Sequence, residues 1–282
     1  MLKLILALVG LALAFPVGGL VAGVDRRLTA RLQSRIGPPL LQPFYDVLKL
    51  IGKEQCVSNP WLIFSAYICL LSSAVALLIF FLQGDLLLLF FVMTVGAVFR
   101  VAGALSVNSP FGNVGAQREL LQMLAYEPLL ILTFVGISVA TGSFMIADIY
   151  ALSVPLLPHL PFLFIALGYA LTIKLVKSPF DIASCHHGHQ EIVRGVLTDY
   201  SGPQLALLEM AHWLDVVLLL GLCSLFWHTS IIGCAILLVV TYGLEILVDN
   251  ISARMTWQWM LKNAFGLALG LAIFNIVWLY IR

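Results

Sequence analysis

Charge is scarce in this chain: Asp, Glu, Lys and Arg make up only 10% of its 282 residues, hydrophobic residues make up 61%, and the mean hydropathy is +1.04. Soluble globular domains carry about 25% charged residues, so a soluble fold is excluded and a polytopic membrane protein is expected. The formal net charge of +1 leaves no basic surplus for a nucleic-acid partner. Cysteine is equally sparse. Cys56, Cys69, Cys185, Cys223 and Cys234 stand singly with no C-x-x-C pair, so their spacing signals neither an iron–sulfur cluster nor a disulfide framework. If the chain is part of a redox complex, the centres of that complex sit in other chains. Low-complexity tracts and internal repeats are also missing.

Long apolar runs are what the chain has in abundance. About eight reach the roughly 20 residues that span a bilayer: Leu2 to Val24, Trp61 to Leu82, Leu86 to Val107, about Leu120 to Thr141, Leu156 to Val176, Leu205 to Trp227, Ile231 to Asn250 and Ala264 to Ile281. The fold class is therefore all-α. The run from Leu4 to Val24 is longer than a signal-peptide core and its strong positive charge follows it, so it reads as a retained first helix. Loops after the first, third, fifth and seventh spans hold nearly all basic residues, from Arg26 to Lys262, with only Lys3 and Arg282 on the other side. The positive-inside rule places these loops in the cytoplasm and both termini outside, in a single membrane domain over residues 1–282. Within the first loop (25–60), Leu40, Leu41, Phe44, Val47, Leu48 and Ile51 recur at helical spacing opposite Asp46 and Lys49. That is an amphipathic interfacial helix, either a lipid anchor or a platform for a soluble subunit.

The densest polar stretch is Lys177 to Asp215. If this run is helical, His186 and His189 share a face, as do Cys185 and His189. This spacing could hold zinc, although Gly188 weakens the helix and no second ligand pair stands nearby; the alternative is a hydrogen-bonded or proton-conducting histidine cluster. Glu191, Arg194 and Asp199 follow and could be a solvated loop or part of a charge path. Glu209, His212 and Asp215 recur at steps of three, and Glu245 and Asp249 lie four apart on one face. Glu127 sits within the fourth span, with Arg118 and Arg100 as candidate partners. Ionisable groups at such depth are expensive and mark candidate relay sites; interhelical hydrogen bonding is the plainer reading for Asp215 and Asp249.

Four ordered motifs resemble the H subunit (subunit 1) family of respiratory complex I and its relatives in energy-converting [NiFe] hydrogenases. They are Gln33-x-Arg35-x-Gly37-Pro38 with Leu41-Gln42 and Asp46-x-x-Lys49; Gly115-Ala116-x-Arg118 with Gln122-Met123 and Tyr126-Glu127; Pro179-Phe180-Asp181; and Glu191-x-x-x-Gly195 leading to Asp199-Tyr200-Ser201-Gly202 and Glu209. The stretch between Gly-Pro and Leu-Gln is shorter here than in quinone-reducing members, and the run Cys185 to Gln190 is similar to the ferredoxin-linked hydrogenase branch. The resemblance implies a multi-pass subunit of a prokaryotic cell membrane that carries no cofactor itself. Its expected partners are hydrogenase large and small subunits and an iron–sulfur subunit, which hold the nickel–iron site and the clusters, together with antiporter-like membrane subunits. It implies proton or charge transduction by Glu127, Glu191, Asp199, Glu209, Asp215, Glu245 and Asp249. Docking of soluble subunits would fall to Arg31, Arg35, Asp46, Lys49, Arg118, Asp181, His186, His187, His189 and Arg194. Two other readings stay open: the quinone-site subunit of a complex I-like oxidoreductase, and a stand-alone ion-coupled transporter.

Overall fold

A computed structural model of the protein describes residues 1–56, 59–183 and 194–281. The helices, in chain order, are α1 (Leu2–Leu32), α2 (Gln42–Ile51), α3 (Pro60–Phe81), α4 (Leu86–Leu105), α5 (Pro110–Thr141), α6 (Ile146–Tyr150), α7 (Pro161–Lys174), α8 (Gly202–Ser224), α9 (Ile231–Ile251) and α10 (Trp257–Ile281), the last with a π-helical stretch over Ala264–Ala268. Among the described residues, the β-structure is an isolated bridge between Asp85 and Met145. Seven of these helices, α1, α3, α4, α5, α8, α9 and α10, are long and apolar enough to cross a membrane.

Local chemistry sets the starts. Asn59 caps α3 by accepting from Trp61 N at 3.0 Å, with Pro60 in the first turn. Asp85 caps α4 through Leu87 N and Leu88 N, and Ser109 caps α5 just ahead of Pro110. The Ser109-Pro110 start explains why α5 begins ten residues before the apolar run at Leu120. Likewise α1 continues past Val24 to Leu32, carrying Asp25, Arg26 and Arg31 on one rigid element.

The largest departure from the sequence expectation is α7. The run Leu156 to Val176 forms only a 14-residue helix, about 21 Å long against a hydrocarbon core of about 30 Å. Pro155 and Pro158 delay its start, since proline cannot donate in a helix interior, Pro161 takes the first helical position, and at Leu175 the chain unwinds. The segment after it turns back through a cis Ser178-Pro179 peptide, and Lys177, Ser178, Phe180, Asp181 and Ala183 are all buried.

Helices α5, α9 and α10 pack against this broken element. α5 packs on α4, α7 and α10; α8 packs on α1, α2 and α3; α9 lies at the periphery against α8, α1 and α7. Close approach needs small residues: a Cβ on Gly18 of α1 would come within 2.6 Å of the Trp213 carbonyl of α8. The expected amphipathic helix is α2. Pro43 and Val47 are buried, the Phe44 ring meets Trp213 edge-on at 5.2 Å, and Leu41, Tyr45, Leu48 and Ile51 face outward. An Arg26–Asp46 ion pair at 2.6 Å ties α2 to α1.

Candidate functional site

The unwound segment after α7 leaves backbone groups that must find partners away from water. Polar side chains from other helices supply them. Ser178 N donates to Asp249 Oδ1 of α9 at 2.8 Å, Gln122 Nε2 of α5 donates to the Phe180 carbonyl, and Arg118 donates to the Ile182 carbonyl at 3.1 Å. Met255 N donates to the Pro179 carbonyl at 2.9 Å. Asp181 is 3% exposed, accepts from Arg254 Nε at 2.9 Å and lies 3.3 Å from Ser178 Oγ. Irregular backbone at membrane depth is tolerated where protein buries it or where it lines a polar cavity, and this segment does both.

The break also places two lysines deep in the bundle, at a helix C-terminus where cations are favoured. Lys174 Nζ lies 3.9 Å from Asp215 Oδ2 and 5.2 Å from the Tyr126 ring centroid. Arg100 of α4 stands between two carboxylates, 3.7 Å from Glu119 of α5 and 3.6 Å from Asp215 of α8. Ser73 Oγ donates to the other Asp215 oxygen at 2.8 Å. Asp215 is thirteen residues into α8, about 20 Å along its axis. The buried cluster thus pairs two cations with two carboxylates.

Glu127, about two turns beyond Glu119 on α5, does not pair with Arg118 or Arg100, the two candidates from sequence, because both are already engaged. Its neighbouring cation is Lys174; the two line a cavity of about 10 Å³ with Tyr126 and Thr94, room for about one water. Glu127 Oε1 is buried without a hydrogen-bond partner.

Lys177 leads the other way. Its Nζ donates to Asp25 Oδ1 and Oδ2 at 2.9 and 2.8 Å, and Tyr242 OH donates to Asp25 at 3.3 Å. These groups, with Glu209, His212 and Asp249, line a cavity of about 480 Å³ between α1, α8 and α9 at the end that carries the basic loops. Glu209 accepts from Arg194 Nη2 at 3.1 Å. Above it, Asp199 sits over the N-terminus of α5, so close that a Cβ on Gly112 would come within 2.6 Å of Asp199 Oδ2. Tyr200 OH lies 2.8 Å from Ser65 Oγ, and burial pushes its phenol up to about 12.

Of the docking candidates, Arg31, Arg35, Lys49 and Arg118 are exposed and Asp46 and Arg194 are partly so; Asp181 instead faces the interior. Cys185, His186, His187, His189 and Glu191 lie outside the described residues, and among the described residues no group of three or more His, Cys, Asp or Glu could hold a metal ion. Sequence reasoning missed the Arg100–Glu119–Asp215–Lys174 cluster and the Asp25–Lys177 pair as units. Each member, however, is a charged residue inside or directly flanking an apolar run, and that was the available signal.

The family model for NADH dehydrogenase matches residues 3–280. The chain is 30% identical to hydrogenase-4 component C of Escherichia coli (strain K12), covering 92% of this chain and 87% of that protein. It is also 30% identical to formate hydrogenlyase subunit 4 of the same organism, over 67% of this chain and 66% of that protein. The H subunit of the NADH-quinone oxidoreductase of Rubrobacter xylanophilus is 30% identical over 75% of this chain and 70% of its own length. A chain of the membrane-bound sulfane sulfur reductase, an archaeal respiratory membrane complex, superposes with a TM-score of 0.89 at 24% identity, over 99% of this chain and 100% of that chain, and so shares the fold. With the motif residues Arg118, Gln122 and Asp181 gathered at the segment after α7 and the match running nearly end to end, the chain belongs to the NADH dehydrogenase subunit 1 family.

Proposed function

We propose that this chain is the membrane anchor and charge-transducing subunit of a membrane-bound, ferredoxin-linked [NiFe] hydrogenase of a prokaryotic cell membrane, coupling hydrogen evolution to translocation of protons or sodium ions. The observation that carries it is the row of charge from the basic-end cavity (Asp25, Lys177, Glu209), by way of a cavity of about 20 Å³ that Glu209 and His212 share with Arg100, to the buried Arg100–Glu119–Asp215–Lys174 cluster and Glu127. Such a row at depth needs a purpose beyond packing, since buried charge pairs seldom stabilise more than apolar residues of the same size. Nickel–iron and iron–sulfur centres belong to soluble subunits docked on the basic loops, with Arg31, Arg35 and Lys49 among the contacts. A redox change there alters the field at Glu209 and Asp199, and proton affinity along the row follows. Names of the relatives support the hydrogenase assembly.

One observation favours a second reading, the quinone-site subunit of a complex I-like oxidoreductase: the cavity of about 480 Å³ has the size of a small-molecule site, and one relative is the H subunit of an NADH-quinone oxidoreductase. Nickel analysis of the assembly that co-purifies with a tagged copy of the chain separates the two. Nickel in equal proportion to the chain supports the hydrogenase; an intact multi-subunit assembly without nickel refutes it in favour of the quinone enzyme.

A further inference from the structure

The entry of α10 into the membrane gathers cations that the charge row leaves unused. Helix α10 has 25 residues and is about 37 Å long, more than a hydrocarbon core of about 30 Å, so its ends reach the headgroup layers. Exposed tryptophans mark both ends, Trp257 and Trp259 beside the basic loops and Trp278 opposite. Lys262 Nζ lies 5.3 Å from the centroid of the Trp259 ring. Asn263 Nδ2 reaches Met255 Sδ at 3.9 Å, which folds the preceding loop onto the first turns of the helix, and Met255 N in turn holds the Pro179 carbonyl.

Charge at this corner does not balance. Arg254, in that loop, donates to Asp181 at 2.9 Å, and Arg118 of α5 donates to the adjoining Ile182 carbonyl at 3.1 Å. On the cavity side Asp249 accepts from Ser178 N. Apart from the Lys177–Asp25 pair, the described residues here set three cations, Arg118, Arg254 and Lys262, against two carboxylates. Lys262 is exposed, and no described carboxylate comes within 4 Å of it. Beyond it the α10 surface is apolar and open, with Phe265 and Leu267 exposed. A cation and indoles at headgroup level beside an apolar wall match a phospholipid, whereas a free phosphate would leave that wall uncovered.

We propose that this corner of α10 binds one anionic phospholipid from the leaflet on the basic-loop side, its phosphate on Lys262 beside the Trp259 indole and its acyl chains along Phe265 and Leu267. The headgroup supplies the negative charge that the three cations lack. Their mutual repulsion falls, and Arg254 and Arg118 stay on Asp181 and Ile182, so the bound lipid braces the broken segment after α7 from outside the bundle.

The test uses the complex purified from native membranes and returned to vesicles of phosphatidylcholine with a minor share of phosphatidylglycerol. Gln258→p-benzoylphenylalanine places a photo-crosslinker between the two indoles, and mass spectrometry identifies what it captures. Phosphatidylglycerol should be captured about fivefold above its share of the bilayer, the enrichment that one lysine gives at an anionic surface. Lys262→Gln should abolish the enrichment and Lys262→Arg should keep it. Amide exchange over residues 177–183 should slow when phosphatidylglycerol is present, and should ignore it in Lys262→Gln. Capture at the bulk ratio overturns the proposal, and so does capture of a protein chain, which would mean that a neighbouring subunit covers the corner. Enrichment that survives Lys262→Gln, or exchange indifferent to phosphatidylglycerol in the wild type, overturns it as well. If Lys262→Gln fails to assemble, the capture ratio and the exchange of the wild type decide.

Discussion

Replacing Arg100 by Leu removes the cation shared by Glu119 and Asp215, and the two carboxylates fare differently. Asp215 keeps Lys174 at 3.9 Å and the Ser73 hydroxyl at 2.8 Å. Glu119 has Arg100 as its ion-pair partner at 3.7 Å, so it must either stay charged in the interior or take up a proton. Protonating a carboxyl of ordinary pKa about 4.3 at pH 7 costs about 3.7 kcal/mol. Breaking a buried pair by removing one partner costs about 3–5 kcal/mol, the same range. Adding Glu119→Gln supplies the neutral side chain from the start, so the double variant should return to within about 1–2 kcal/mol of the wild type, because a buried pair replaced whole is often neutral. The penalty in Arg100→Leu alone should shrink as pH falls, by about 1.4 kcal/mol per unit, since protonation becomes easier. Equilibrium unfolding in mixed dodecylmaltoside and SDS micelles at two pH values measures all three. Strict additivity of the two substitutions, or a penalty in Arg100→Leu that does not change with pH, would refute the arrangement.

Three further outcomes follow from the same geometry. Asp249→Ala leaves Ser178 N buried without an acceptor and should cost about 1–3 kcal/mol in the same unfolding assay; an unchanged midpoint would mean the broken segment is held otherwise. Gly112→Ala pushes a methyl to within 2.6 Å of Asp199 Oδ2, so coupled turnover should fall while Gly168→Ala, where a Cβ meets nothing within 4 Å, should not alter it. Gly18→Leu should separate α1 from α8 and abolish assembly, read as loss of the chain from the purified complex; normal yields would contradict the close packing at Trp213.

Much of this architecture was legible in the sequence because a membrane interior demands long apolar runs, and those runs mark the helices. The failures are local and have identifiable causes. α5 starts early because Ser109-Pro110 cap a helix whose first turns are polar, and a hydropathy reading begins only at Leu120. α7 stops early although its sequence, Lys174 apart, stays apolar through Val176, because partners from α5 and α9 satisfy the unwound backbone; those contacts are distant in sequence. The motif residues Arg118, Gln122 and Asp181 could be found from the resemblance, but their task of bracing that segment could not. Glu209, Asp215 and Glu245 stood out as acids in apolar surroundings. Which of them holds a cation and which does not is decided by tertiary contacts alone, as Arg100 shows by bypassing Glu127 for Glu119 and Asp215.

The central claim is that the charge row transmits redox change into ion movement. The most direct measurement is ion translocation per hydrogen evolved in inverted membrane vesicles, with Glu209→Gln beside the wild type. Glu209 joins the loop cation Arg194 to the cavity, so its neutral variant should evolve hydrogen from a soluble artificial donor at nearly the wild-type rate while translocation collapses. An unchanged ratio of ions to hydrogen in that variant would contradict the account.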